Sequence, residues 1–201
     1  MKTAIITVFS ALVLSLGVAN TTNAATAKNN DNAAYTVLTD MSAISKIEVH
    51  GNVQLFVSDA STDEVKVYNK YYAENALVQN SKGVLRIASY KAEKLVVWVS
   101  ANDLRAITAY DNAEVKSFGN LSKIELNVEL HDNATAKLTM DAFNANVVVK
   151  DNAKAELNGR ADELNLNRDI ESNVKKNNLT VAHYNENKMA FAAVNEEPEL
   201  F

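Results

Sequence analysis

From Ile44 onward, apolar and polar residues alternate with the period of two that is typical of half-buried β-strands. In residues 46–57, the side chains of Ile47, Val49, Val53 and Leu55 share one parity, and the residues between them are mostly polar. Residues 95–99 are uniformly apolar, as in a strand that is covered on both faces. No long stretch carries the 3.6-residue stripe of an amphipathic helix. Short strands separated by polar corners predict an all-β domain.

The chain also repeats itself with a period near 20 residues. The tripeptide Asp-Asn-Ala begins at Asp111, Asp132 and Asp151, and the pairs Gly51-Asn52 and Ser172-Asn173 read as divergent copies. Apolar residues recur at fixed offsets from the Asp: Ile107, Val128 and Val147 four before, Ala109, Leu130 and Val149 two before, and Val115, Ala136 and Ala155 four after.

Such a repeat predicts stacked units, none of which can bury its apolar side alone. Two strands per period are too few for a propeller blade, which needs four. They fit one coil of a parallel β-helix, whose successive coils pair at a spacing of about 4.8 Å. The sequence therefore predicts a parallel β-solenoid with coils of about 20 residues.

At each corner the Asn has a predicted structural role. Sharp corners need a residue at positive φ, which Asn tolerates better than most residues other than Gly. An Asn side chain can also bond to the local backbone or to the Asn one coil away. The sequence thus predicts a structural ladder at the corners, formed by Asn52, Asn112, Asn133, Asn152 and Asn173.

The order of these motifs resembles a known family. Ile47, Val49, Gly51, Val53 and Leu55 form an opening strand pair, Gly83 precedes Leu85 and Ile87, and a Val-rich strand at 96–99 precedes Asp103, Leu104 and Ile107. Over residues 44–173 the chain is similar to the autotransporter-adhesin "head GIN" domain of secreted and envelope proteins. That family usually carries Ser-Gly at the repeated corner, where this chain has Asp-Asn. The resemblance implies a right-handed β-helix-like fold outside the cytoplasm, with an adhesin role and no settled biochemical activity.

The N-terminal residues predict how the protein is targeted and how the chain is organised. One positive charge at Lys2, the apolar run 4–19 and small residues up to Ala24 or Ala25 predict a secretory signal peptide; an N-terminal membrane anchor is the alternative. The predicted organisation is a signal peptide at 1–24, a flexible lead-in at 25–43, the solenoid at 44–184 and an acidic tail or cap at 185–201. The expected location is the periplasm or the medium, with no transmembrane span after cleavage.

The chain has 201 residues, a net charge of −5, one Pro, 26 Asn and no Cys. Without Cys, disulfides, zinc–thiolate sites, thiol nucleophiles and a lipid anchor on Cys are excluded. The acidic balance argues against nucleic acid as a partner.

Two columns of the predicted stack carry candidate chemistry. The outward column Tyr110, His131 and Lys150, with His50 before it, could bind sugar by stacking or could simply be solvated. The column Asp111, Asp132 and Asp151 could hold a cation such as Ca²⁺, but these residues also suit turns in which Asp points into water. Other aromatic residues suited to a glycan are Tyr68, Tyr71, Tyr72, Tyr90 and Trp98, although aromatic residues in strands often serve packing.

These features favour a non-catalytic binding or surface-interaction domain that needs no cofactor, with a cell-surface glycan or an envelope protein as candidate partner. The alternative is a polysaccharide lyase or hydrolase on a β-helix, which would use Asp111, Asp132, Asp151 and Arg168. The three Asp residues recur with the period, as scaffold residues do, whereas a catalytic cluster should interrupt it.

Overall fold

The computed structural model describes residues 27–28, 35–39, 41–68 and 76–189. The described part of the chain contains strands and turns but no helix, and its strands form one mixed sheet. This confirms the all-β class. The strands are β1 (Ala27–Lys28), β2 (Thr36–Leu38), β3 (Lys46–Gly51), β4 (Val53–Asp59), β5 (Glu64–Val67), β6 (Leu77–Ser81), β7 (Val84–Ser89), β8 (Leu95–Ala101), β9 (Ala106–Ala109), β10 (Glu114–Ser117), β11 (Leu121–Leu130), β12 (Thr135–Val149), β13 (Lys154–Asp169) and β14 (Asn173–Met189).

The predicted apolar columns are confirmed by the strand register. One column crosses six strands in parallel, and every member is at most 2% exposed: Leu85, Ile47, Ile107, Val128, Val147 and Leu166. A second column with the same spacing is fully buried: Ile87, Val49, Ala109, Leu130 and Val149. In β3 and β4 alternate residues point away from the core, which is the half-buried pattern that the sequence predicts. β8 shows the same alternation, although its apolar residues 95–99 predict a strand that is covered on both faces.

The sheet curls around this core at β12. The first residues of β12 pair with β10, while residues 140–149 pair with β11. The buried residues of both sides form one cluster. The curled sheet therefore has two outer faces. We call one of them the patch face, after the aromatic side chains described below; it is the outward side of β5, β8, β4, β10 and the starts of β12, β13 and β14. The column face is the outward side of β7, β3, β9, β11 and the ends of β12, β13 and β14.

At the N-terminal end the sheet is antiparallel. β5 pairs antiparallel with β2 and β8, and β6 pairs antiparallel with β7. The β6–β7 connection is a two-residue hairpin through Lys82 (φ 51°) and Gly83 (φ 81°), and positive φ at both residues matches the twist of the flanking strands. The parallel solenoid that the sequence predicts does not include these antiparallel pairs, because β2, β5 and β6 carry no copy of the repeated corner.

The corners correct the role predicted for Asn. Positive φ lies at Asp111 (59°), Asp132 (57°) and Asp151 (53°), not at the Asn that follows each of them. The expected ladder of Asn52, Asn112, Asn133, Asn152 and Asn173 is replaced by bonds through these carboxylates. Asp and Asn both tolerate left-handed backbone, so the sequence of the corner did not determine which of the two residues adopts the positive φ.

The carboxylates join successive corners. The backbone N–H of Gly51 donates to Asp111 Oδ2 (2.9 Å), that of Asp111 to Asp132 Oδ2 (3.0 Å), and that of Asp132 to Asp151 Oδ2 (2.9 Å). The N–H of Asp151 donates to Asp169 Oδ2 (2.8 Å), so Asp169 ends the series. We call this series the aspartate ladder.

An asparagine ladder does exist, but on the column face. Asn146 Nδ2 donates to Asn127 Oδ1 (2.9 Å), Asn165 Nδ2 to Asn146 Oδ1 (3.2 Å), and Asn185 Nδ2 to Asn165 Oδ1 (3.1 Å). These residues are one strand apart in register, so each amide can be donor to one neighbour and acceptor from the other.

Several predicted segments lie outside the described residues. They are the signal peptide at 1–24, about half of the lead-in, Tyr71 and Tyr72, and the tail beyond Met189. Residues 185–189, which were predicted as part of the tail, belong to β14.

Candidate functional site

Three aromatic side chains meet on the patch face. Trp98 on β8 lies opposite Phe56 on β4, with ring centroids 5.5 Å apart, and Phe118, just after β10, lies 4.9 Å from Trp98. Alternation places all three on the outer side of strands whose inner residues, such as Leu55 and Val97, are fully buried. We call Phe56, Trp98 and Phe118 the aromatic patch.

The patch is partly open to solvent. Trp98 Nε1 donates to Ser58 Oγ (3.3 Å), so the only polar group of the indole already has a partner. Phe118 is 64% exposed and tilted by 58° from the indole plane. Large exposed aromatic groups on a sheet contribute little to the core and commonly mark a contact surface.

Charged residues surround the patch. Lys66 lies opposite Trp98 and pairs with Glu64 (2.5 Å). On the other side, Lys116 Nζ lies 6.0 Å from the Phe56 ring centroid and 3.4 Å from a carboxylate oxygen of Glu114. Glu114 also accepts hydrogen bonds from Lys94 and, at 2.9 Å, from Gln54, and these bonds, that from Lys94 above all, hold its pKa below the usual range.

Beyond the patch the same face forms a shallow groove of about 350 Å³. Lys116, Lys137, Lys154 and Lys175 line it together with Glu156. We call it the lysine groove. Lys137 pairs with Glu156 (2.8 Å), and the hydrogen bond from Lys137 lowers the pKa of that carboxyl.

The predicted column of Tyr110, His131 and Lys150 lies on the column face. Tyr110 is stacked between His50 (4.4 Å between centroids) and His131 (4.7 Å), so both faces of its ring are covered. His131 Nε2 is buried and has no hydrogen-bond partner among the described residues; the nearest carboxylate oxygen, on Glu129, is 3.7 Å away. Lys150 continues the column one coil further, where its N–H donates to Leu130 O.

The predicted Asp column is occupied by the aspartate ladder. One oxygen each of Asp111, Asp132 and Asp151 accepts a backbone N–H from the preceding corner. Within the described ranges, no group of three or more His, Asp or Glu side chains is arranged to hold a metal ion.

Arg168, the remaining residue of the alternative enzyme site, lies across from Val149 on the neighbouring strand and next to Asp169, the last member of the aspartate ladder. It donates to Glu186 on β14 (2.8 Å), which also contacts Lys176 and Tyr184. Hydrogen bonds, first from Tyr184 and then from Arg168, lower the pKa of Glu186 to about 2. Glu186 occupies the register position of the buried Leu166, so this polar cluster covers the end of the apolar column. The hydrogen bonds of the Arg168 guanidinium go to Glu186 and to Ser172 O, not to Asp111, Asp132 or Asp151.

Trp98 could be identified from the sequence as a candidate binding residue, but Phe56 and Phe118 beside it could not. The alternation predicts that Phe56 and Trp98 both point outward, but their adjacency depends on the pairing of β4 with β8. Phe118 follows a strand of only four residues and has no counterpart in the repeat.

Similar folds occur in solved structures. A protein from Bacteroides fragilis that is described as a putative adhesin matches with a TM-score of 0.66 at 14% identity, over 73% of this chain and 72% of that one. A protein from Parabacteroides distasonis with the same description matches with a TM-score of 0.56 at 17% identity, over 78% of both chains. A third, named a lipid binding protein, also from Parabacteroides distasonis, matches with a TM-score of 0.52 at 9% identity, over 75% of this chain and 76% of that one.

At these identities the likeness shows the fold alone. None of these names is that of an enzyme. A search of curated proteins finds no match to the sequence. The described residues form no helix with the length and apolarity needed to cross a membrane.

The family comparison agrees with the sequence and the fold. The model described as "Putative auto-transporter adhesin, head GIN domain" matches residues 43–194, which include all of the parallel strands. The chain therefore belongs to the head GIN domain family of auto-transporter adhesins.

Proposed function

We propose that this protein is a non-catalytic, extracytoplasmic binding domain that contacts a cell-surface carbohydrate through the aromatic patch. The observation that carries the proposal is the cluster of Phe56, Trp98 and Phe118 on an outer sheet face. Sugar rings present apolar C–H faces, which pack on aromatic side chains, and they carry hydroxyl groups for polar neighbours such as Gln54 and Ser100. The adhesin description of the family supports a role in surface contact.

The aromatic patch suits this role better than the predicted column of Tyr110, His131 and Lys150. Both faces of Tyr110 are covered by imidazole rings, which leaves only ring edges for a ligand. Phe118, by contrast, is 64% exposed. The column therefore remains a secondary candidate for binding, and a glycan is favoured over an envelope protein as the partner.

The proposed scaffold is a right-handed parallel β-solenoid over residues 44–184 with coils of about 20 residues. The parallel register from β9 to β14 supports stacked coils. The proposed targeting is a cleaved signal peptide at 1–24 and release to the periplasm or the medium, followed by a lead-in at 25–43. The acidic segment that ends at residue 201 is proposed to cap the last coil.

A glycan array on residues 25–201, followed by calorimetry on the best hit, tests the proposal. Trp98→Ala and Phe118→Ala should each weaken binding at least about tenfold, because interface aromatic residues dominate affinity. Phe143→Ala is the matched control, since Phe143 is 63% exposed but lies outside the aromatic patch. Equal losses in all three variants, or no glycan bound at all, would refute the assignment.

The same samples distinguish the enzyme alternative. Release of new reducing ends from the bound polysaccharide would contradict a non-catalytic domain. If Asp132→Asn abolished that release, the alternative active site would be supported instead.

A further inference from the structure

We infer that the carbohydrate recognised by this domain is acidic, with its carboxylate or sulfate groups bound along the lysine groove. This rests on the proposed function and specifies its ligand class. The aromatic patch and the lysine groove are continuous. One register row runs across the patch face in the order Lys66, Trp98, Phe56, Lys116, Lys137, Glu156 and Lys175.

The length of this row fits a polymer. Trp98 and Lys175 are separated by five strand steps, and at about 4.8 Å per step the row spans roughly 24 Å. A single sugar would cover only the aromatic end of it. An extended polysaccharide could stack on Phe56 and Trp98 and continue over the lysines.

The charge of the face is opposite to that of the chain. Outward positions of these strands hold five lysines and three glutamates: Lys66, Lys116, Lys137, Lys154, Lys175, Glu64, Glu114 and Glu156. Lys94 joins them through its contact with Glu114. The whole chain, by contrast, has a net charge of −5. An excess of cations on one face of an acidic protein favours an anionic ligand.

Two of these cations are available for a ligand. No carboxylate of the described residues forms an ion pair with Lys154 or Lys175, whereas Lys137 is paired with Glu156. Lys175 lies across from Glu156 in register, and its charge helps to lower the pKa of that carboxyl. Lys154 lies directly across from Thr135 and Asn173, whose side chains can bond to hydroxyl groups. An ammonium group donates up to three hydrogen bonds and suits single carboxylate or sulfate oxygens.

The test compares acidic and neutral polysaccharides. Calorimetry would measure binding of the protein to polygalacturonate and chondroitin sulfate, and to dextran and laminarin, at about 50 and 300 mM NaCl. We expect tighter binding to the acidic polymers and a loss of that preference at high salt, because exposed charges are screened. Lys154→Ser/Lys175→Ser should weaken acidic binding about fivefold and leave neutral binding unchanged.

The matched control removes two charges elsewhere. Lys46→Ser/Lys188→Ser should bind the acidic polymers like the parent protein, because Lys46 on β3 and Lys188 at the end of β14 lie off the patch face. Equal binding of acidic and neutral polymers, or parental binding by the Lys154/Lys175 variant, would overturn the inference while the proposed function stands. Binding to single-stranded DNA as tight as to polygalacturonate would also overturn it, as general polyanion attraction. Absence of binding to every polysaccharide would instead refute the proposed function.

Discussion

The aspartate ladder makes a quantitative prediction at Asp132, its central member. The carboxylate of Asp132 accepts the N–H of Asp111, and its own backbone is held at φ 57°. Asp132→Ala removes the acceptor and places a β-carbon without a polar group in left-handed backbone. Asp132→Asn keeps an acceptor oxygen and a residue that tolerates this conformation.

The magnitudes follow from the two effects. Losing one hydrogen bond at an exposed corner costs about 1 kcal/mol. Forcing Ala into the left-handed region costs about 1 kcal/mol more. Asp132→Ala should therefore lower the free energy of unfolding by about 2 kcal/mol, whereas Asp132→Asn should lower it by only about 0.5 kcal/mol, because a neutral acceptor replaces a charged one.

Urea unfolding followed by circular dichroism measures these differences, and thermal melting should show Asp132→Ala about 5 °C below the parent. The control is Asn133→Ala at the neighbouring exposed position, with an expected change under about 0.5 kcal/mol. If Asn133→Ala cost as much as Asp132→Ala, the corner would depend on Asn after all. A change near zero for Asp132→Ala would show that the ladder contributes no stability.

Three further predictions concern other parts of the fold. Asn146→Ala should lower the free energy of unfolding by about 1–2 kcal/mol in a urea titration, since it removes two amide hydrogen bonds of the asparagine ladder; an unchanged midpoint would contradict this. The pKa of Glu186 is lowered to about 2 in the folded protein. Its ionised carboxylate therefore adds on the order of 1 kcal/mol to the free energy of unfolding after solvent screening, and this stabilisation is present above about pH 4.5 and is lost as the pH falls toward 2. Glu186→Gln should therefore destabilise the protein at pH 7 but not at pH 2, and an equal effect at both values would refute the link to ionisation. Gly159→Ala should prevent normal folding, because at φ 98° the added β-carbon would lie 2.1 Å from the carbonyl oxygen of Met140; Gly119→Ala, at φ 78° with open space around it, should cost only about 1 kcal/mol in the same urea assay.

The apolar columns were predictable because a period of about 20 residues repeats the same burial requirement in each copy. Ile107, Val128 and Val147 are in register because successive copies of the repeat place equivalent residues side by side. The partner at the end of the aspartate ladder was not predictable in this way. Asp169 takes the place expected for Ser172, which instead is buried and donates to Asp169 O.

The asparagine ladder corresponds to a recurrence of Asn in the sequence that could have predicted it. Asn127, Asn146 and Asn165 recur at intervals of 19 residues. That spacing matches the coil, but Asn is so frequent in this chain that the recurrence does not stand out. The aromatic patch left no such signal, because it depends on contacts between strands about 40 residues apart that are not copies of each other.

The aspartate ladder gives the stack a direction. Each corner N–H is satisfied by a carboxylate that lies further along the chain, so a corner is complete only when the following repeat is in place. One repeat of about 20 residues can therefore be duplicated or lost without leaving a corner N–H unpaired, provided that each copy brings its own Asp. Domains of this kind can change length in whole repeats during evolution, while the patch face gains or loses one strand each time.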